Sequence, residues 1–134
     1  MPLLKFNKEE KLKSRKLIEQ VFAEGKAISA NPLRLIYVMP SQPMEFPVKV
    51  GVSVSSRNFK KAVDRNRIKR LLREAYRLNK SALTDHARKN NLQFAAFILY
   101  TDRILPEFEL INEKMQVILN KLVKATSETP ATNS

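Results

Sequence analysis

Residues 57–77 constrain this chain more than any other stretch, because nine of them are basic and only Asp64 and Glu74 are acidic. Wound at about 100° per residue, Ile68, Leu71, Leu72, Ala75 and Leu78 fall within one arc of about 120°. Arg65, Asn66, Lys69, Arg70, Arg73 and Arg77 fall on the opposing side, within about 140°. The separation predicts a helix over about residues 60–78 that docks its apolar face on a core and presents a row of cations one turn apart. A solvated face held by ion pairs needs acids three or four positions away. Asp64 can reach Lys61 or Arg67, and Glu74 can reach Arg70 or Arg77, but Arg65, Lys69 and Arg73 have no such partner. Arg grips phosphate oxygens through a planar, bidentate fork, and Asn66 offers both a donor and an acceptor to a ribose hydroxyl or base edge. Periodicity and composition alone stop at a polyanion-binding helix.

The rest of the composition agrees. The chain has 134 residues, one domain's worth, and 43% of them are hydrophobic, enough for one core. Its net charge is +12, a field that attracts nucleic acid or an anionic membrane surface. There is no cysteine, which excludes disulfides, thiolate metal sites and cysteine nucleophiles. The first ten residues hold no long apolar run, and no stretch approaches the roughly 20 apolar residues of a membrane span. A soluble, cytoplasmic protein is expected.

Around the basic segment the pattern alternates between two periods. Residues 1–13 read as polar and irregular. Ser14 can cap a helix over about 15–24, in which Leu17, Ile18, Val21 and Phe22 recur at helical spacing and Gly25 supplies a stop. A short strand is expected near 26–31 and another over 33–39, followed by a loop at 40–47 with three prolines. Val50, Val52 and Val54 alternate with Gly51, Ser53 and Ser55 in a strand over 48–55. After the basic helix come a second helical stretch near 81–90 and a buried strand over 92–100. Phe108, Ile111, Met115, Ile118, Leu119 and Leu122 mark a closing amphipathic helix. The order αβββαβα predicts an α+β fold, a two-layer sandwich with a mixed sheet of about four strands. The domain is expected over 1–124, with 125–134 a disordered tail.

Catalytic chemistry is hard to find. His86 is the single histidine and has no motif around it. Gly25 and Gly51 are the only glycines, so there is no phosphate loop. Asp64, Asp85, Asp102, Glu107 and Glu109 form no recognisable two-metal set. No catalytic residue, metal ligand or cofactor is expected on the protein.

The run Lys60-Lys61-Ala62-Val63-Asp64-Arg65-Asn66-Arg67-Ile68-Lys69-Arg70-Leu71-Leu72-Arg73-Glu74 resembles the signature of bacterial ribonuclease P proteins, whose motif is named for the triplet matched by Arg65-Asn66-Arg67. The strand Val50 to Ser55 and the pair Val21-Phe22 before Gly25 also match, so the resemblance covers about residues 12–123. It implies that Lys60, Lys61, Arg65, Asn66, Arg67, Lys69, Arg70, Arg73 and Arg77 bind the catalytic RNA of ribonuclease P. It also implies a cleft for the single-stranded 5′ leader of precursor tRNA between the first helix and the open sheet face. Ile18, Phe22, Tyr37 and Ser53 match that cleft, with Arg57 beside it. Phe22 and Tyr37 could stack on bases, although Phe22 equally suits a core position, and the family often has an aromatic where this chain has Ile18. By resemblance the βαβ crossover through the basic helix is left-handed, against the general rule. RNA and its Mg²⁺ carry the hydrolysis in that family, with one protein bound per RNA.

Three other readings compete. A ribosomal-type RNA-binding protein shares the charge and plan without a role in tRNA cleavage. A membrane-surface protein needs a free apolar helix face, whereas Ile68, Leu71 and Leu72 suit a sheet cover better. A stand-alone nuclease would cut RNA unaided.

Overall fold

A computed structural model describes residues 6, 8–40 and 43–128. Helix α1 spans Arg15–Glu24, with the Ser14 side chain accepting from the Leu17 N–H at 3.3 Å as an N-cap. Strands β1 (Lys26–Ala30), β2 (Leu33–Val38) and β3 (Val48–Val54) follow. Helices α2 (Ala62–Asn79) and α3 (Ser81–Lys89) are parted only by Lys80, whose backbone is itself helical. Strand β4 (Phe94–Tyr100) and helix α4 (Phe108–Glu128) complete the order. Asn91, at φ 56°, ends α3 in the left-handed conformation, and the Leu92 N–H returns to the Ala87 carbonyl at 2.8 Å.

The four strands form one mixed sheet in the order β1-β2-β4-β3, antiparallel except for the β3/β4 pair. Parallel neighbours need a crossover, and α2 with α3 supplies it. Alternation then divides the strands between two faces. Val48, Val50 and Val54 of β3, Phe94, Ala96 and Ile98 of β4, and Leu33, Leu35 and Tyr37 of β2 join one core cluster with α2, α3 and α4. Ile68, Leu72 and Ala75 are fully buried in that cluster. Burying Ile68 and Leu72 is worth about 1.5–3 kcal/mol each, which is why the basic helix lies fixed on the sheet.

The opposite face is only half covered. Leu12, Val21, Val38 and Ala95 form a second small cluster, joined by Leu17, Ile18, Ile36 and Phe97. The Leu12 N–H donates to the Val50 carbonyl on the outer edge of β3, while Lys26 begins β1 at the far edge. Helix α1, between these two anchors, therefore crosses the sheet from edge to edge.

Two expectations need correction. Residues 8–10 form a 3-10 turn, and Lys11 bridges Val50 in a parallel pairing, so residues 8–12 are not irregular but a strap along β3, while residues 1–5 and 7 lie outside the described residues. Glu10 of this strap makes a buried ion pair with Lys80, at 2.5 Å, and Phe6 packs on Tyr76 with ring centroids 5.2 Å apart. The closing helix runs through Glu128, so residues 125–128 are helical rather than tail. Buried Thr126 holds this end, its hydroxyl 2.9 Å from His86 Nε2. Residues 129–134 lie outside the described residues. Gly25 ends α1 as expected, its N–H on the Val21 carbonyl, with extended backbone at φ −70° and ψ 153°.

Candidate nucleic-acid interface

Helix α2 buries Ile68, Leu72, Ala75 and Tyr76. Leu78, expected on the apolar face, is 40% exposed. Tyr76 takes the burial instead, because the strap carries Phe6 to that side of the helix. The outward face shows Asn66, Arg67, Arg70 and Arg73, with Lys69 half-buried at its border and Lys60 and Lys61 in the approach to the helix.

Two of the expected RNA-binding residues are engaged within the chain. Arg65 Nη1 donates to the carbonyls of Phe59 and Lys60, both at 2.8 Å, and so fastens the turn that enters α2. Arg77 donates twice to Glu74, at 3.1 and 2.6 Å. The hydrogen bond from Arg77 holds the Glu74 carboxyl below its ordinary range, and the same bond raises the Arg77 guanidinium. The side chains of Lys60, Lys61, Arg67, Lys69, Arg70 and Arg73 have no ion-pair or hydrogen-bond partner among the described residues. Such a row repels itself and is relieved by an external polyanion.

The second candidate surface is the uncovered half of the sheet. Register across the strands puts Gly51, Phe97, Ile36 and Ala27 in one row, and Ser53, Leu99, Arg34 and Ser29 in the next. Helix α1 reaches the first row: Phe22, half-exposed, lies 5.1 Å from Phe97, centroid to centroid. The second row has no helix over it in the packing clusters, and Arg34 and Ser29 are exposed. Ile18, Phe22 and Ser53 thus share a cleft floored by Phe97 and Leu99. Arg57 is exposed in the turn beyond β3, where its N–H donates to Ser55 Oγ at 3.1 Å.

Tyr37 does not join them. It pairs in register with Ala96 and faces the opposite core, edge-on to Phe94, where burial raises its pKa. The β2 residue that faces the cleft is its neighbour Ile36. Residues 33–38 are apolar at five of six positions, so alternation within β2 cannot choose between its faces. Phe97 and Arg34 escaped sequence reasoning for the same reason. Only the pairing of β2 with β4 brings them to the cleft.

No helix among the described residues is long and apolar enough to cross a membrane. A cationic helix on one face of the sheet and an aromatic-floored cleft on the other mark an α+β protein of the single-sheet type whose charge suits a polyanion. The family model "Ribonuclease P" matches residues 6–123. The ribonuclease P protein component of Porphyromonas gingivalis is 39% identical over 122 residues, spanning 90% of this chain and 88% of that one. Its counterpart in Chlorobium phaeobacteroides is 33% identical, spanning 86% of each chain. Among solved structures, the RNase P protein of Thermotoga maritima superposes with a TM-score of 0.65 at 22% identity, over 84% of this chain and 96% of that one. That of Staphylococcus aureus gives 0.64 at 19%, over 84% and 94%. These likenesses speak to the fold. The chain belongs to the ribonuclease P protein family. Membership carries a role in ribonuclease P, an endoribonuclease of tRNA processing.

Proposed function

We propose that this chain is the RNA-binding subunit that assists a catalytic RNA in removing the 5′ leader from precursor tRNA. The observation that carries the proposal is the set of partnerless cations on and before α2, within the segment that bears the family signature. They hold the phosphate backbone of the catalytic RNA, replacing condensed counterions and letting it fold with less Mg²⁺. Arg65 contributes by fixing the turn that carries Lys60 and Lys61.

The leader strand lies in the cleft, its bases against Phe22 and Phe97 and its backbone near Ser53, Arg57 and Arg34. Base stacking of this kind is worth roughly 1–3 kcal/mol per base. Ile18 adds apolar wall. The RNA and its Mg²⁺ perform the hydrolysis, and the protein supplies affinity and placement. One protein acts per RNA, in the cytoplasm.

The test is 5′ processing of a precursor tRNA by a bacterial ribonuclease P RNA at low Mg²⁺, with and without the protein. An Arg67→Ala/Arg70→Ala variant runs beside it, leaving the Arg65 anchor intact. Cleavage should require both components and fall with the variant. A protein that binds RNA yet leaves cleavage unchanged would instead act as a ribosomal-type binder.

A further inference from the structure

Between the two surfaces, around the outer edge of β3, runs a groove of about 190 Å³ to which neither reading assigns a ligand. Arg73 from α2 and Phe97 of the cleft both line it. Lys11 and Lys13 of the strap line it as well, and no lining residue is acidic. The main chain at Lys11 is held by its pairing with Val50, and its ammonium lies 5.5 Å from the centroid of the Phe6 ring, so this cation is positioned rather than free to swing away. Gly51 lets the Phe97 ring lie close against β3 at the border of the groove, since an added side chain would come within 2.7 Å of Phe97 Cζ.

We propose that this groove binds the sugar–phosphate backbone of single-stranded RNA, taking the leader out of the cleft and around β3 towards the basic face of α2. Three cations along one groove match a phosphodiester chain, and the groove touches both surfaces through Phe97 and Arg73. The proposal rests on the reading of the cleft as the leader site.

The experiment measures affinity of the protein–RNA complex for two precursor tRNAs, one with a leader short enough to end in the cleft and one extended beyond it. Lys11→Ala/Lys13→Ala should lose affinity several-fold for the long leader only. Its salt dependence should flatten by about 1.4 in the log–log slope, about 0.7 for each phosphate released on a single strand. Lys11→Arg/Lys13→Arg should keep both, which separates charge from folding. Equal loss on both substrates, or no loss, overturns the groove. If Phe22→Ala abolishes the advantage of the long leader while Lys11→Ala/Lys13→Ala preserves it, the cleft reading stands and the groove falls. If the wild-type complex binds leaderless and leader-bearing substrates alike, the cleft reading fails as well.

Discussion

Gly25 and Gly51 each occupy a place where a methyl group has no room, but the obstacles differ. At Gly25 the added carbon would meet the Val21 carbonyl oxygen and Ile36 Cγ2, so the last turn of α1 would have to lift from β2. At Gly51 it would lie 2.7 Å from Phe97 Cζ, at the end of a ring that can tilt. Gly51→Ala is therefore expected to cost about 1 kcal/mol and Gly25→Ala about 3 kcal/mol or more in urea unfolding, across the usual overpacking range. Tyr76 poses a different problem. It is fully buried, and its hydroxyl has no hydrogen-bond partner among the described residues. Burial, with the nearby Glu10 charge, pushes its pKa far above the ordinary value. Removing an unsatisfied buried hydroxyl relieves a desolvation penalty, so Tyr76→Phe should be neutral or stabilise by about 1 kcal/mol at pH 7. A pKa raised by folding gives stability that is complete below the unfolded value near 10 and is lost as pH rises above it. Tyr76→Phe lacks that loss, and its advantage should widen in unfolding curves above about pH 10.

At the scale of elements, the strap is held by chemistry that acts across the chain. Glu10 and Lys80 pair with their side chains 3% and 7% exposed, so removing either leaves the other charge in a poorly solvated place. Glu10→Ala and Lys80→Ala should each cost about 3 kcal/mol, and the double variant much less than their sum, in a double-mutant cycle of unfolding free energies. This element was illegible in the sequence because its partner is 70 residues away and Phe6 and Leu12 show no period. Strand β3 and helices α2 and α4 were legible for the opposite reason, since each carries its own period in its own residues. The cations of α2 could be listed from sequence for the same reason, whereas the engagement of Arg65 with Phe59 and Lys60 depends on how the preceding turn folds. The cleft was half legible. Phe22 and Ser53 sit on elements with a clear pattern, but choosing Ile36 over Tyr37 requires knowing which strand lies beside β2. The end of α4 is illegible because Ala125, Thr126 and Ser127 look like tail, whereas the burial of Thr126 and its contact with His86 hold them in the helix.

For the whole molecule, the arrangement makes electrostatics additive on one side and apolar contact dominant on the other. Six partnerless cations on and before α2 should give a log affinity for RNA that falls with log salt by roughly 0.7–0.9 for each phosphate neutralised. Arg67→Ala/Arg70→Ala should flatten that slope by about 1.5 in titrations at several salt concentrations, while Arg77→Ala, already neutralised by Glu74, should leave it nearly unchanged. Between the cationic side and the cleft stands β3, a single strand of seven residues. Val50, Val52 and Val54 support the basic helix, and Gly51 and Ser53 furnish the cleft. The division of labour between the two proposed RNA surfaces is thus written as even and odd positions of one strand. Losing or gaining one residue there would send the cleft's side chains into the core and the valines into the cleft, whereas a change of two would restore both. The length of this strand is in effect quantised in pairs.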